Sequence, residues 1–202
     1  MDQMKKQKNN NTYNLQVKII AGSLKGRSIH FLEKKDLRPT KNQVRETLFN
    51  WLQFDIHNSV CIDLFSGSGA LGFEAVSRGA KKVYMVDCDP DVVKCLKDNK
   101  EELNLENIAL YNTNAEDFIA NFKYKADLVF LDPPFSENII NATIHYLSLS
   151  KIFNDKCKIY VEVPLQKNLE DAIYKPKNWE LLKSNKSGDV AYLLYQHNNS
   201  MI

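Results

Sequence analysis

Two short stretches of the 202-residue chain place chemically capable residues at the ends of apolar runs. Asp132-Pro133-Pro134-Phe135 follows the run Ala126–Leu131. Asp63-Leu64-Phe65-Ser66-Gly67-Ser68-Gly69-Ala70-Leu71-Gly72 closes a short strand predicted over Val60–Phe65. An exocyclic amine on a nucleobase is a weak nucleophile, because its lone pair is delocalised into the ring. A carboxylate and a carbonyl that converge on its two N–H groups hold it pyramidal and oriented. The Asp132 carboxylate and the Pro133 carbonyl are such a pair. Two consecutive prolines fix their own φ angles and bring no competing N–H donor. Phe135 offers a ring on which an extruded base can stack.

The second stretch is ambiguous by spacing alone. Gly67, Gly69 and Gly72 match G-x-G-x-x-G, and Asp87 lies twenty residues beyond the first of them, which fits a nicotinamide dinucleotide. Such a turn lets any adenosyl ligand approach closely and sets an acid beside its ribose. Asp63 breaks the tie. A carboxylate inside the turn opposes a pyrophosphate but suits a ligand that carries an ammonium and a sulfonium. The paired motifs therefore point to S-adenosylmethionine, with an NAD-dependent oxidoreductase as the rival from another class.

These residues need a scaffold, and the hydropathy pattern supplies one. Strands are predicted at Val60–Phe65, Lys82–Val86, Ile108–Tyr111, Ala126–Leu131 and Lys158–Val163. Helices alternate with them at Ala70–Ser77, from Pro90, at Ala115–Phe122 and at Ile139–Leu149. Trp179–Lys183 and Val190–Tyr195 flank Gly188 as an antiparallel pair. The expected fold is α/β: a Rossmann-like methyltransferase sheet of seven mostly parallel strands with a C-terminal antiparallel hairpin. Upstream, Val17–Ile20 and Arg27–Phe31 read as a β-hairpin extension. Thr40 reads as the N-cap of a helix that runs to Trp51 or Leu52. Residues 1–14 read as a disordered tail, 15–55 as the extension and 56–202 as the methyltransferase domain.

Charge is unevenly spread. Residues 1–45 carry a net +8 and the remainder a net −6. A basic arm that meets a polyanion follows from this, with Arg27, Arg38 and Arg45 as the phosphate contacts. Cys61, Cys88, Cys95 and Cys157 show no metal-ligand spacing, and the four histidines are scattered, so no metal is expected. No apolar run is long enough to span a bilayer, and the polar start MDQMKKQKNNN lacks a signal sequence. A cytoplasmic monomer without membrane contact is the expectation.

Asp-Pro-Pro-Phe fits the [DNS]PP[FYW] motif of amino-methyltransferases that act on nucleic acids and on protein glutamine. Ile19-Ile20-Ala21-Gly22, Lys25-Gly26-Arg27, Leu37-Arg38-Pro39-Thr40 and Val44-Arg45-Glu46-Thr47-Leu48-Phe49-Asn50-Trp51-Leu52 narrow the likeness. With Asp63–Ala75, Asn114-Ala115, Tyr160-Val161-Glu162 and the last strand, they resemble the 16S rRNA (guanine(966)-N(2))-methyltransferase family, RsmD-type, from Val17 to Gln196. The resemblance implies one methyl transfer to the N2 amine of a guanine in small-subunit ribosomal RNA, naked or within an assembling or assembled subunit. It implies that Asp63, Phe65 and the Ser66–Gly69 turn, with Gly67 and Gly69, hold the methionine end of the cofactor. Asp87 then takes the ribose and Asn114-Ala115 the adenine, while Asp132, Pro133 and Phe135 hold the base. A DNA or protein-glutamine amino-methyltransferase is the nearest alternative, and a catalytically silent RNA-binding chaperone a more distant one.

Overall fold

A computed structural model of the chain describes residues 15–34, 38–134, 137–165 and 173–198. The 1–14 tail and Phe135 lie outside the described residues.

The sheet follows the strand–helix alternation. β1 (Leu15–Lys18) and β2 (Ser28–Phe31) pair antiparallel as a separate ribbon. Then come α1 (Asn42–Trp51), β3 (Val60–Asp63), α2 (Ala70–Ser77), β4 (Lys82–Asp87), α3 (Pro90–Glu102), β5 (Ile108–Asn112), α4 (Ala115–Asn121) and β6 (Ala126–Leu131). The chain ends in α5 (Glu137–Leu149), β7 (Phe153–Pro164), β8 (Trp179–Ser187) and β9 (Val190–His197). The seven-stranded sheet has the order β5-β4-β3-β6-β7-β9-β8. Its first five strands are parallel, and β9 runs antiparallel to both neighbours. The helices start where local chemistry lets them. Asp89 accepts from the N–H groups of Asp91 and Val92 just before Pro90, and Asn114 accepts from Asp117 N–H.

Two sequence expectations give way to pairing. β7 begins at Phe153 and not near Lys158, because Phe153 pairs with Ala126 across an irregular stretch whose side chains are polar. Hydropathy misses this start because Asn154, Asp155 and Lys156 interrupt the apolar run between the buried Phe153 and Cys157. Thr40 does not cap α1: the N-cap is Lys41 without a side-chain cap, and the Thr40 hydroxyl is committed elsewhere.

The extension shares its core with the sheet. Val17, Ile29 and Phe31 of the ribbon and Val44, Leu48 and Phe49 of α1 belong to one buried cluster with Phe73, Met85, Leu96, Phe130 and Tyr160. Every residue of α2 is buried, because the sheet covers one side and the extension the other. The β1–β2 connection docks by backbone. Glu74, on α2, accepts from the N–H groups of Ile20 (2.7 Å) and Ala21 (3.0 Å). Ser77 O accepts from Ser23 N–H at 2.7 Å. Gly22, at φ +85, makes that approach possible, since a Cβ there would lie 1.9 Å from Ser77 O.

Arg45 corrects an expectation. Set by sequence among the phosphate contacts, it is wholly buried, so no phosphate reaches it. Its Nη2 donates to Lys18 O (3.0 Å) and Asn42 Oδ1 (2.6 Å), and its Nη1 lies 3.6 Å from Glu74 Oε2. Arg78 Nε donates to the other Glu74 oxygen at 2.7 Å. The one buried carboxylate thus faces two guanidinium groups and two backbone N–H groups. Removing one partner leaves buried charge uncompensated, which costs about 3–5 kcal/mol. Urea unfolding of Arg45→Ala is expected to show a loss of that size. A loss below about 1 kcal/mol would mean that Glu74 is adequately held without it.

Candidate active site

The parallel strands deliver their acids to one edge. In the order β4-β3-β6-β7, the carboxyl ends carry Asp87, Asp63, Asp132 and Glu162. Register sets their facing. Asp63 is level with Met85 and Phe130, and Phe130 is level with Tyr160. Asp87, Asp132 and Glu162 lie two residues beyond Met85, Phe130 and Tyr160, so strand alternation turns all four acids to the face covered by α1, α2 and α3.

Asp63 is 1% exposed, and neither of its carboxyl oxygens receives a well-formed hydrogen bond among the described residues. Burial pushes its pKa up to about 8, helped by the charges of Asp132 and Asp87; the nearby N–H groups of Phe65 and Gly72 offset this only in part. An acid buried without partners costs stability unless something else meets it. Here that acid sits inside a ligand-type turn.

The turn itself is tightly tied. Gly67 N–H donates to Asp87 Oδ2 at 2.9 Å, and Asp89 N–H to Asp87 Oδ1 at 2.9 Å. Ser66 N–H donates to Val86 O (2.9 Å) and its hydroxyl to Asp63 O (3.1 Å). Gly69, at φ +81, opens α2. Asp87 thus braces the turn while staying half-buried at the surface; burial raises its pKa against the Asp89 and Gly67 N–H groups. Because a carboxylate already takes the Gly67 N–H, the turn is a poor cradle for pyrophosphate. The residues fit a cationic adenosyl ligand instead: a buried carboxyl with no well-formed hydrogen bond, a second acid at the end of the next strand, and Phe65 half-buried between them in sequence.

Asp132 follows β6 and accepts the Thr40 hydroxyl on Oδ2 at 2.8 Å. Burial raises its pKa and the Thr40 bond lowers it. Pro133 is buried and Pro134 exposed. The structure therefore brings Asp63, the Ser66–Gly69 turn, Asp87 and Asp132 to one edge. Asn114 lies beyond β5, exposed, with its side chain engaged by Asp117 as the α4 cap; Ala115 is buried. Arg27 and Arg38 are exposed on the extension. Two residues were missed as site residues. Thr40 was read as a cap, although the Arg-Pro-Thr run was already more than packing required. Glu162 interrupts an apolar strand, and a buried acid there is the signal that sequence offers.

Among the described residues no cluster of histidine, cysteine or acids is arranged to hold a metal, and all four cysteines are free. No described helix is long and apolar enough to cross a membrane.

Comparison with known proteins gives the family and the fold. The family described as Conserved hypothetical protein 95 matches residues 17–196. Ribosomal RNA small subunit methyltransferase D of Haemophilus influenzae is 42% identical over 186 residues, which span 90% of this chain and 94% of that protein. Its Escherichia coli counterpart is 39% identical, with 90% of each chain covered. Among solved structures, an Escherichia coli protein described as "Putative methyltransferase yhhF" superposes with a TM-score of 0.83 at 36% identity, covering 92% of this chain and 99% of that one. A methylase structure from Haemophilus influenzae gives 0.78 at 40% identity, covering 91% and 99%.

The raised acids make a pH prediction. The folded chain keeps a proton on Asp63 that the unfolded chain releases, from the ordinary aspartate pKa of 3.8 up to about 8. Its contribution to stability therefore falls as pH rises through that window. Urea unfolding between pH 5 and 8 should show ligand-free stability declining with pH, and Asp63→Asn should flatten the decline. An identical slope in the variant would mean that Asp63 is ionised throughout.

Proposed function

The chain belongs to the Conserved hypothetical protein 95 family, and on that premise we propose that it methylates the N2 amine of one guanine in small-subunit ribosomal RNA, with S-adenosylmethionine as donor. It is an enzyme of the methyltransferase class, as its relatives and its fold are. The observation that carries the finer reading is the Thr40-braced Asp132 carboxyl beside the buried Asp63, whose oxygens take no well-formed hydrogen bond among the described residues. One is suited to an amine and the other to a cation.

S-adenosylmethionine, when bound, supplies a methyl group on a sulfonium. Asp63 and the Ser66–Gly69 turn, with Phe65, hold the methionine end, and Asp87 keeps lone pairs for the ribose hydroxyls while it braces Gly67. The segment that begins at Asn114 and Ala115 borders the adenine. Asp132 Oδ1 and the Pro133 carbonyl accept the two amine N–H groups, and the Thr40 hydroxyl fixes the carboxyl plane. Phe135 stacks on the base. With the methyl group so supplied, the amine would give up one proton, which Asp132, its pKa raised by burial, would hold before solvent takes it. Orientation and exclusion of water carry most of the rate.

The extension, residues 15–55, presents the exposed Arg27 and Arg38 to RNA phosphates, and residues 56–202 form the methyltransferase unit. The substrate is the RNA or the subunit particle that contains it, and the chain acts as a cytoplasmic monomer.

Mass spectrometry of ribosomal RNA incubated with the protein and S-adenosylmethionine should find one N2-methylguanosine. Asp132→Ala should lower that turnover by at least about 10³-fold while cofactor affinity stays within a few-fold. Methylation near the wild-type rate would leave Asp132 as a turn residue only.

A further inference from the structure

Beside Asp132, β7 carries a second buried carboxyl that this mechanism does not use. Phe130 pairs with Tyr160 and Leu131 with Val161, so Asp132 and Glu162 end adjacent strands on the same face. Neighbouring strands lie about 4.8 Å apart. Glu162 is 7% exposed. Its Oε2 accepts the Tyr160 hydroxyl at 2.9 Å, and its other oxygen takes no hydrogen bond from any described residue. Lys41, just after Thr40, supplies the nearest opposing charge. Burial and the Asp132 charge both disfavour ionised Glu162. An apolar residue would pack here at no such cost. The strand order also gives a direction: Asp87 and Asp63 serve the cofactor, Asp132 the amine, and Glu162 lies on the side of Asp132 away from the cofactor.

We propose that Glu162 is a specificity-determining residue, whose free carboxyl oxygen accepts the ring N1–H of the target guanine while Asp132 holds the adjacent N2 amine. This rests on the guanine reading above. Guanine presents N1–H and the N2 amine side by side, and two neighbouring carboxyls match that run of donors. Adenine and 2-aminopurine present a bare N1 lone pair, which brings no proton to the carboxylate form of Glu162 that guanine N1–H would stabilise. A site that buries an acceptor for an N–H discriminates strongly against a base that lacks it, because the acceptor is then left unpaired. Tyr160 fixes the carboxyl from behind.

The test uses the full chain and small-subunit RNA in which the target guanosine is replaced by 2-aminopurine, which keeps the N2 amine and lacks the N1 proton. For the wild type, kcat/KM should fall by at least about 100-fold on this replacement. Glu162→Gln, checked for unchanged Tm and cofactor affinity, should lose about 10- to 100-fold on guanine. Its amide N–H₂ can donate to the bare N1, so the guanine preference should narrow by at least about 10-fold. Equal wild-type rates on the two bases overturn the proposal, and they do so even if the variant fails to fold. A variant that loses both substrates by the same factor also overturns it, leaving Glu162 as an anchor for Tyr160. Failure of the underlying reading looks different: the wild type then forms no N2-methylguanosine on unmodified RNA, and both proposals fall.

Discussion

Four acids on the ends of four neighbouring strands set the terms for the rest of this molecule. Asp87, Asp63, Asp132 and Glu162 share one face and one edge, and burial raises the pKa of each. Asp63 feels the charges of Asp132 and Asp87, and Glu162 feels that of Asp132. Among the described residues the row meets cations only at its ends: Lys41 acts on Glu162, and Lys34 pairs with Asp89 and acts on Asp87. Such an arrangement is a poor way to stabilise a fold and a good way to await a ligand that brings positive charge and N–H donors. A sulfonium with an ammonium, and a base amine, together answer it.

The extension makes the row usable. Thr40 braces Asp132, and Phe49 and Trp51 of α1 pack their rings against Phe130 and Tyr192. These contacts hold only if the extension is fixed to α2, and the buried Arg45–Glu74–Arg78 cluster fixes it. α2 begins at the glycine turn, so the segment that presents Arg27 and Arg38 to solvent is joined through one helix to the turn proposed to hold the cofactor. The proposed RNA surface and the proposed cofactor site thereby share one support.

Much of this was legible in the sequence, for identifiable reasons. The glycine turn and Asp-Pro-Pro follow apolar strands, and strand periodicity with turn chemistry places both at the same edge of a parallel sheet. Hydropathy finds strands where both faces are buried and fails at the start of β7, where Asn154, Asp155 and Lys156 separate the buried Phe153 from Cys157. Arg45 falls in the basic excess of residues 1–45 and so reads as a phosphate contact; that it turns inward depends on Glu74, twenty-nine residues later, which no local pattern reveals. Thr40 was misread for a related reason. Its position before a helix suggests a cap, whereas Lys41 takes the N-cap position and the partner of the Thr40 hydroxyl, Asp132, is supplied by the fold. Glu162 shows the same limit, since only the β6–β7 register makes it a neighbour of Asp132.

The central claim is that a cationic ligand relieves the buried acids, and proton release on binding tests it most directly. Calorimetric titration of S-adenosylmethionine at pH 7, in buffers of different ionisation enthalpy, counts the protons exchanged. Asp63 holds its proton at that pH with a pKa near 8, and a cation beside it lowers that pKa. Net release of a substantial fraction of a proton is therefore expected, and Asp63→Asn should abolish most of it. Binding with no proton exchange, or with uptake, would contradict the account.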